Sequence, residues 1–252
     1  MKRLMIALGA LALAACTPPT AETPENGPPN LDGVMLPLGD QAGNRMETLT
    51  QNGARWCTED GVWCVEGGRV SASFAAGAAP VALPSEGELW PVVVRSGESA
   101  LVGLISTEEQ MYSGGSGRAQ HLTLYEVANG AAREVLRMPY SGAADIRACF
   151  DEEDEQQRAG ACRDEYQFIT RIFIDETVAS GAPVIVLETA AGSYPGAVTR
   201  NADSLERPAL TEADLVWAQD EACTFRRTYT RGADGLYAPD QPLPGCTDYL
   251  EP

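Results

Sequence analysis

Six cysteines follow Cys16, and they fall into three close pairs along the chain. Ahead of them stands a basic and then apolar leader of the export type. In an exported chain an even set of cysteines reads as a disulfide framework. Cys57 and Cys64 flank Thr58-Glu59-Asp60-Gly61-Val62-Trp63. Asp-Gly favours a two-residue hairpin turn, and a turn centred on Asp60-Gly61 sets Cys57 opposite Cys64. Counting outward makes this a hydrogen-bonded pair, with a Cα spacing of about 5.5 Å, still within disulfide reach. The same count around Asp234-Gly235 sets Cys223 opposite Cys246, with Pro239, Pro242 and Pro244 interrupting the ladder. Cys149 and Cys162 pair by elimination. No Cys-x-x-Cys occurs and the chain has one His, so a zinc site is not expected.

Between these staples the sequence reads as strands. Trp90 to Val94 and Leu101 to Ile105 are apolar runs separated by Ser-Gly-Glu-Ser. His121 to Val127 leads into an Asn129-Gly130 turn, from which Arg133 to Met138 pairs back. Tyr166 to Ile174 has apolar residues on both faces, which places it centrally in a sheet. Pro183 to Thr189 and Phe225 to Thr230 complete the set. Strands bounded by Gly, Pro, Asn and Asp predict a mainly β, antiparallel sandwich or barrel-like domain. Two short helices are expected. One is capped by Asp151 over 152–159; the other runs over 212–218 from a Thr211/Asp214 capping box. No repeat of fixed period is found, which disfavours a solenoid or propeller.

The leader has a finer signature. Lys2 and Arg3 precede an apolar run from Leu4 to Leu13, followed by Leu13-Ala14-Ala15-Cys16. The run is too short to span a bilayer, which takes about 20 residues. Its ending resembles the lipobox of bacterial lipoproteins. That resemblance implies removal of residues 1–15, acylation of Cys16 and attachment to a membrane. Thr17, in place of Asp, implies sorting to the outer membrane, facing the periplasm. Residues 16–30 then form a lipid-anchored tether holding five prolines. Such a spacer reaches roughly 40 Å at ~3.1 Å per residue. The folded part is expected over 31–252, as one large domain or two subdomains.

Charge narrows the partners. The chain carries 36 acidic against 18 basic residues, a formal charge of −18. Its single lysine, Lys2, lies in the leader, so the mature part is more acidic still. Nucleic acid is therefore excluded as a partner, since phosphate contacts need Lys and Arg. Asp151, Glu152, Asp154 and Glu155 form the densest run, with Asp164-Glu165 just past Cys162. Carboxylate oxygens suit Ca²⁺, the one cofactor the sequence suggests, although the run lacks the EF-hand pattern. The ordinary alternative is a solvated first helical turn.

Trp56, Trp63 and Tyr112 are candidate recognition aromatics, since such side chains stack on sugars or pack at interfaces. Trp90 and Trp217 are expected in the core, the latter from the second helix. Arg226, Arg227 and Arg231 are expected in internal ion pairs. Ser113 or Ser116, His121 and Asp145 can be drawn as nucleophile, base and orienter. The strand containing His121 does not require either serine to face it, and no catalytic residue is assigned. The expected function is a non-catalytic binding or scaffolding lipoprotein that contacts the membrane through its anchor and an envelope protein or glycan. The alternatives are an envelope hydrolase using paired carboxylates and a protein inhibitor presenting the Asp60-Gly61 hairpin.

Overall fold

The computed structural model describes residues 27–31, 40–41, 43–73, 79–175, 178, 181–196 and 198–252. The leader, Cys16 and most of the tether lie outside this set. From β1 (Asp40–Gln41) and β2 (Asn44–Thr48) the chain enters a small sheet of β3 (Thr50–Asn52), β4 (Arg55–Cys57), β5 (Trp63–Glu66), β6 (Arg69–Ala72) and β7 (Val81–Ala82). It returns to a larger sheet through β8 (Glu88–Ser96), β9 (Ser99–Tyr112), β10 (Gly115–Ala128) and β11 (Ala131–Arg147). Helix α1 (Glu152–Gln157) precedes β12 (Arg163–Ile174), β13 (Ile185–Tyr194), β14 (Ala218–Gln219), β15 (Arg226–Arg231) and β16 (Tyr237–Pro239). Helix α2 (Thr247–Leu250) follows.

The larger sheet runs β1-β2-β8-β9-β10-β11-β12-β13-β15-β16, with β14 paired to β13. Its long central strands come from hairpins whose turns sit in the chain where Gly permits them. Asn129 and Gly130 both have positive φ, 51° and 75°, the primed turn that matches strand twist. β1 and β16 end the order with no ladder joining them. The barrel alternative is thereby corrected: the sheet is open, and the small sheet covers one face of it as in a sandwich. β12 sits between β11 and β13, the central place that its two apolar faces require.

Side-chain alternation along β9 and β10 feeds two cores. On one face Val102, Leu104, Tyr125 and Val127 pack against Trp63, Val65 and Val70 of the small sheet. On the other, Leu101, Ile105, Leu122 and Leu124 meet Trp90, Met138, Ile185 and Leu187 as the sheet curls on itself. A third cluster joins Tyr166 and Phe168 of β12 to Tyr249 of α2 and to Cys223 and Cys246. Here Gly142 matters, because a Cβ there would overlap the carbonyl oxygen of Tyr249. Gly142→Ala should push α2 off the sheet and cost about 1–3 kcal/mol, as overpacking does. A thermal melt of the variant checks this; an unchanged midpoint would refute the close approach.

All three disulfides join the neighbours expected from the sequence, but two turns differ from the count. Gly61 N–H donates to Thr58 O at 2.8 Å and Thr58 N–H donates to Trp63 O at 2.9 Å. The loop is thus longer than two residues, and the hydrogen-bonded pair is Thr58 and Trp63. Cys57 and Cys64 occupy a non-hydrogen-bonded pair, with Cα atoms 4.1 Å apart. Beyond β15 the ladder pairs Tyr229 with Pro239 and Arg231 with Tyr237, one residue off the expected register. Gly235 at φ 78° closes a three-residue loop. Cys246 reaches Cys223 through the chain after β16, not through the ladder.

The helices are shorter than expected. α1 ends at Gln157, since Ala159 takes φ 49°. The Thr211/Asp214 capping box forms, but it opens a single 3-10 turn, Glu212–Asp214. Beyond it Val216 O accepts from Gly196 and Ala218 pairs with Ser193; sheet pairing outcompetes helix growth. Trp217 therefore bridges to Gly196 and stands beside Tyr194, ring centroids 6.0 Å apart. No helix among the described residues is long and apolar enough to cross a membrane.

Candidate functional site

Two places on opposite ends of β9 and β10 gather side chains that could meet a partner. The 14 residues of β9 separate them by roughly 40 Å, at about 3.3 Å per residue. At the first end the two sheets part around a cleft of about 550 Å³. Its apolar wall is Trp63, Val70, Val81 and Val127, and its rim carries Ser96, Glu98, Ser99 and Asn129. The rim comes from the β8–β9 and β10–β11 turns, so polar turn residues are delivered to the mouth while strand positions supply the floor. Such a lining suits an apolar group whose polar end stays at the rim. Glu98 is the one carboxylate among these lining residues.

The other end is the β9–β10 turn together with the Cys149–Cys162 loop. Arg147 N–H donates to Gly114 O, and this bond draws the two together. The Arg147 guanidinium lies 5.0 Å from the Phe150 ring centroid, while its Nε donates to Cys149 O at 2.7 Å. Arg163 pairs with Asp145. Arg147 and Arg163 lie between two shallow hollows, one reaching Met111 and Tyr112, the other reaching Phe150, Asp151 and Glu152. Met111 is 86% exposed, Phe150 64% and Tyr112 41%. Large apolar side chains this open, set in two hollows that share Arg147 and Arg163, mark a contact surface.

The sequence candidates are distributed unevenly over these places. Tyr112 belongs to the second. Trp63 lines the cleft but is only 2% exposed, so it serves as packed floor rather than as a free stacking ring. Trp56 is half-buried against the same core. The acidic run is not gathered for a cation. Asp151 accepts from Glu153 and Asp154 N–H groups as the helix cap, and Asp154 accepts from Phe150 N–H at 2.7 Å. Glu152 and Glu155 border the Phe150 hollow. Among the described residues no group of three or more His, Cys, Asp or Glu could hold a metal ion. Asp151 and Asp154 spend their carboxylates on the backbone N–H groups at the helix start, while Glu152 and Glu155 border the hollow.

The serine–histidine arrangement is also ruled out by register. Ser116 pairs with Asp145 and Met111, whereas His121 pairs with Ser106 and Pro139. They lie five residues apart on one strand, roughly 16 Å and on opposite faces. Burial pushes the His121 imidazole below its ordinary value, assisted by Arg137. Asp164 is a different matter: burial raises its carboxyl against the lowering pull of Arg158. This pair is structural, joining Arg158 inside the Cys149–Cys162 loop to Asp164 just beyond it. Of the expected arginine pairs, Arg226 meets Glu188 and Arg231 meets Glu126. Arg227 instead donates to the Pro242 carbonyl.

Sequence reading missed Met111, Phe150, Arg147 and Arg163 as a group. Nothing local marks them, since the β9–β10–β11–β12 register, the Arg147–Gly114 bond and the disulfide bring them together. No protein-family model matches the chain, and neither a curated protein nor a solved structure does.

Proposed function

We propose that this chain is a cell-envelope lipoprotein, acylated at Cys16 and held at the outer membrane on the periplasmic side. It acts as a non-catalytic module that binds another envelope component. The observation that carries the binding role is the cleft between the two sheets, with its valine and tryptophan wall and its Ser96, Glu98, Ser99 and Asn129 rim. A paired-carboxylate hydrolase working in this cleft would need a second acid, and Glu98 is the one carboxylate among the lining residues. The inhibitor reading is weaker on geometry. The stapled tip is exposed, but Arg95 holds Asp60 at 2.6 Å and ties the hairpin down onto β8. The Thr58 hydroxyl and the Val62 N–H hold the Asp60 carboxyl down at about 2, so this tie persists through the ordinary pH range.

The test uses chemical crosslinking in intact envelopes with the wild type and Ala128→Trp. Ala128 lines the mouth and is half-exposed, so the indole would block entry without replacing a core residue. Wild type should yield a crosslinked species that the variant loses, with palmitate label on Cys16 and melting midpoint equal in both. Equal crosslinking by both chains would remove the cleft as the binding site.

A further inference from the structure

We infer that the end of the larger sheet bearing Met111, Tyr112 and Phe150 rests in the zwitterionic headgroup layer of the membrane that holds the anchor, so that the cleft opens away from the lipid. This rests on the reading of Cys16 as acylated. The direction comes from the first described residues. The Leu31 carbonyl accepts from Arg171 Nη1 at 2.9 Å. Arg171 itself is locked by Glu188, which also holds Arg226. Two residues earlier, Pro29 packs over Gly192, its Cγ 3.0 Å from where a Cβ would stand. Gly192 pairs with Gln167, and Glu188 pairs with Arg171. Followed backward from Leu31 to Pro29, the chain therefore runs toward the Arg163 and Tyr194 end of β12 and β13.

That end is the one carrying the exposed side chains. Arg163 pairs with Arg147, Ile146 with Gly115, and Gly115 with Tyr112. The tether thus leaves the domain on the side where Met111, Tyr112 and Phe150 stand open. Eleven peptide steps lie between Cys16 and Gly27, a span of roughly 34 Å at the ~3.1 Å per residue of a proline-rich spacer. The cleft lies farther off, at the opposite end of β9. Chemistry fits the same orientation. Tyr and Phe settle at a membrane interface with the ring inward and any polar tip outward. Arg147 and Arg163 can meet headgroup phosphates, while Asp145, Asp151 and Glu152 beside them can meet headgroup amines. A chain of formal charge −18 would be repelled by an anionic surface, so mixed signs favour a zwitterionic one.

The experiment reconstitutes the full lipidated chain into vesicles of phosphatidylethanolamine and phosphatidylcholine containing a phospholipid with a diazirine in its upper acyl chain. After illumination and flotation, lipid adducts are mapped by mass spectrometry. Adducts are expected on peptides holding Met111, Tyr112 and Phe150, with none on Ser96–Ser99 or Asn129. Tyr112→Ser with Phe150→Ser should lose them while still floating and keeping all three disulfides. A chain that floats with acylated Cys16 but carries adducts only on the tether, or on the cleft rim, overturns the orientation alone. A chain with unmodified Cys16 that fails to float overturns the anchor reading and this proposal with it.

Discussion

Reduction of the three disulfides is expected to unfold this domain at temperatures where the oxidised chain is folded. By chain entropy the loops closed by Cys57–Cys64, Cys149–Cys162 and Cys223–Cys246 contribute about 2.5, 3.0 and 3.5 kcal/mol, near 9 together. A domain's whole net stability is about 5–15 kcal/mol. At this size each kcal/mol moves the midpoint by roughly 2–4 °C, so full reduction should lower it by ~20 °C or more. The bridges are not equivalent. Cys57–Cys64 clips a hairpin already closed by the Thr58–Trp63 pair, and its removal should matter least. Cys223 and Cys246 are both buried beside Tyr249, Tyr166 and Phe168. Without their bond, α2 and the chain after β16 lose their covalent link to the β14–β15 connection, which packs with them against Tyr166 and Phe168. Cys223→Ala with Cys246→Ala should therefore cost most. Differential scanning calorimetry with and without a phosphine reductant measures all of this. A reductant shift of less than about 5 °C would show that the packed sheets, not the staples, hold the fold.

Contrasting turns explain how far the sequence was legible. Asn129-Gly130 is a two-residue turn, as its dipeptide suggests, because the flanking strands pair up to Ala128 and Ala131. Asp60-Gly61 carries the same kind of signal but sits inside a longer loop. There the Thr58 hydroxyl donates to Asp60 and accepts from Trp63 N–H. A side-chain hydroxyl competing for backbone partners shifted the pairing parity, and the disulfide formed nonetheless because either parity brings the sulfurs within reach. Strand content and neighbour pairing survive such slips, since they depend on alternation and proximity. Whether the sheet closes depends on the edges β1 and β16, whose distance apart no local pattern encodes. The candidate surfaces lay deeper. Tyr112 is visible as an aromatic in a Gly-rich turn, whereas Phe150 gains meaning only from Arg147 beneath it and from the register that delivers Arg163 next to both. The acidic run is dense in sequence, and two of its carboxylates, Asp151 and Asp154, serve the helix start by accepting from backbone N–H groups.

Substitution of Arg158 should be the most damaging single change in the described chain. Its side chain is 1% exposed, donates from Nε to Ala161 O at 3.2 Å and pairs with buried Asp164. The pair stitches the end of α1, inside the Cys149–Cys162 loop, to the start of β12 just beyond it. Gln157 extends the stitch, donating to the carbonyls of Leu205 and Arg207. Arg158→Met would strip the Asp164 carboxylate of its directly paired counter-charge, at a cost of about 3–5 kcal/mol. The midpoint should fall by roughly 10 °C. A volume-matched neutral pair, Arg158→Met with Asp164→Leu, should recover most of that loss, because both desolvation penalties disappear together. The sign of the pH dependence follows from Asp164. Burial already raises its carboxyl above the ordinary 3.8, and Arg158 leads the groups that oppose that rise, ahead of the Ser204 hydroxyl and Arg207. In Arg158→Met the folded-state value climbs further. A carboxyl raised in the folded state favours folding most when protonated, below its unfolded value, and that advantage is lost as pH rises through the folded value. The variant's deficit against wild type should therefore be smallest near pH 4 and grow toward neutrality, levelling once Asp164 is ionised in both states. Melts of wild type, single and double variant at acid and neutral pH measure this. A deficit that is constant with pH, or a double variant no better than the single, would mean that Arg158 acts by filling space and not by compensating Asp164.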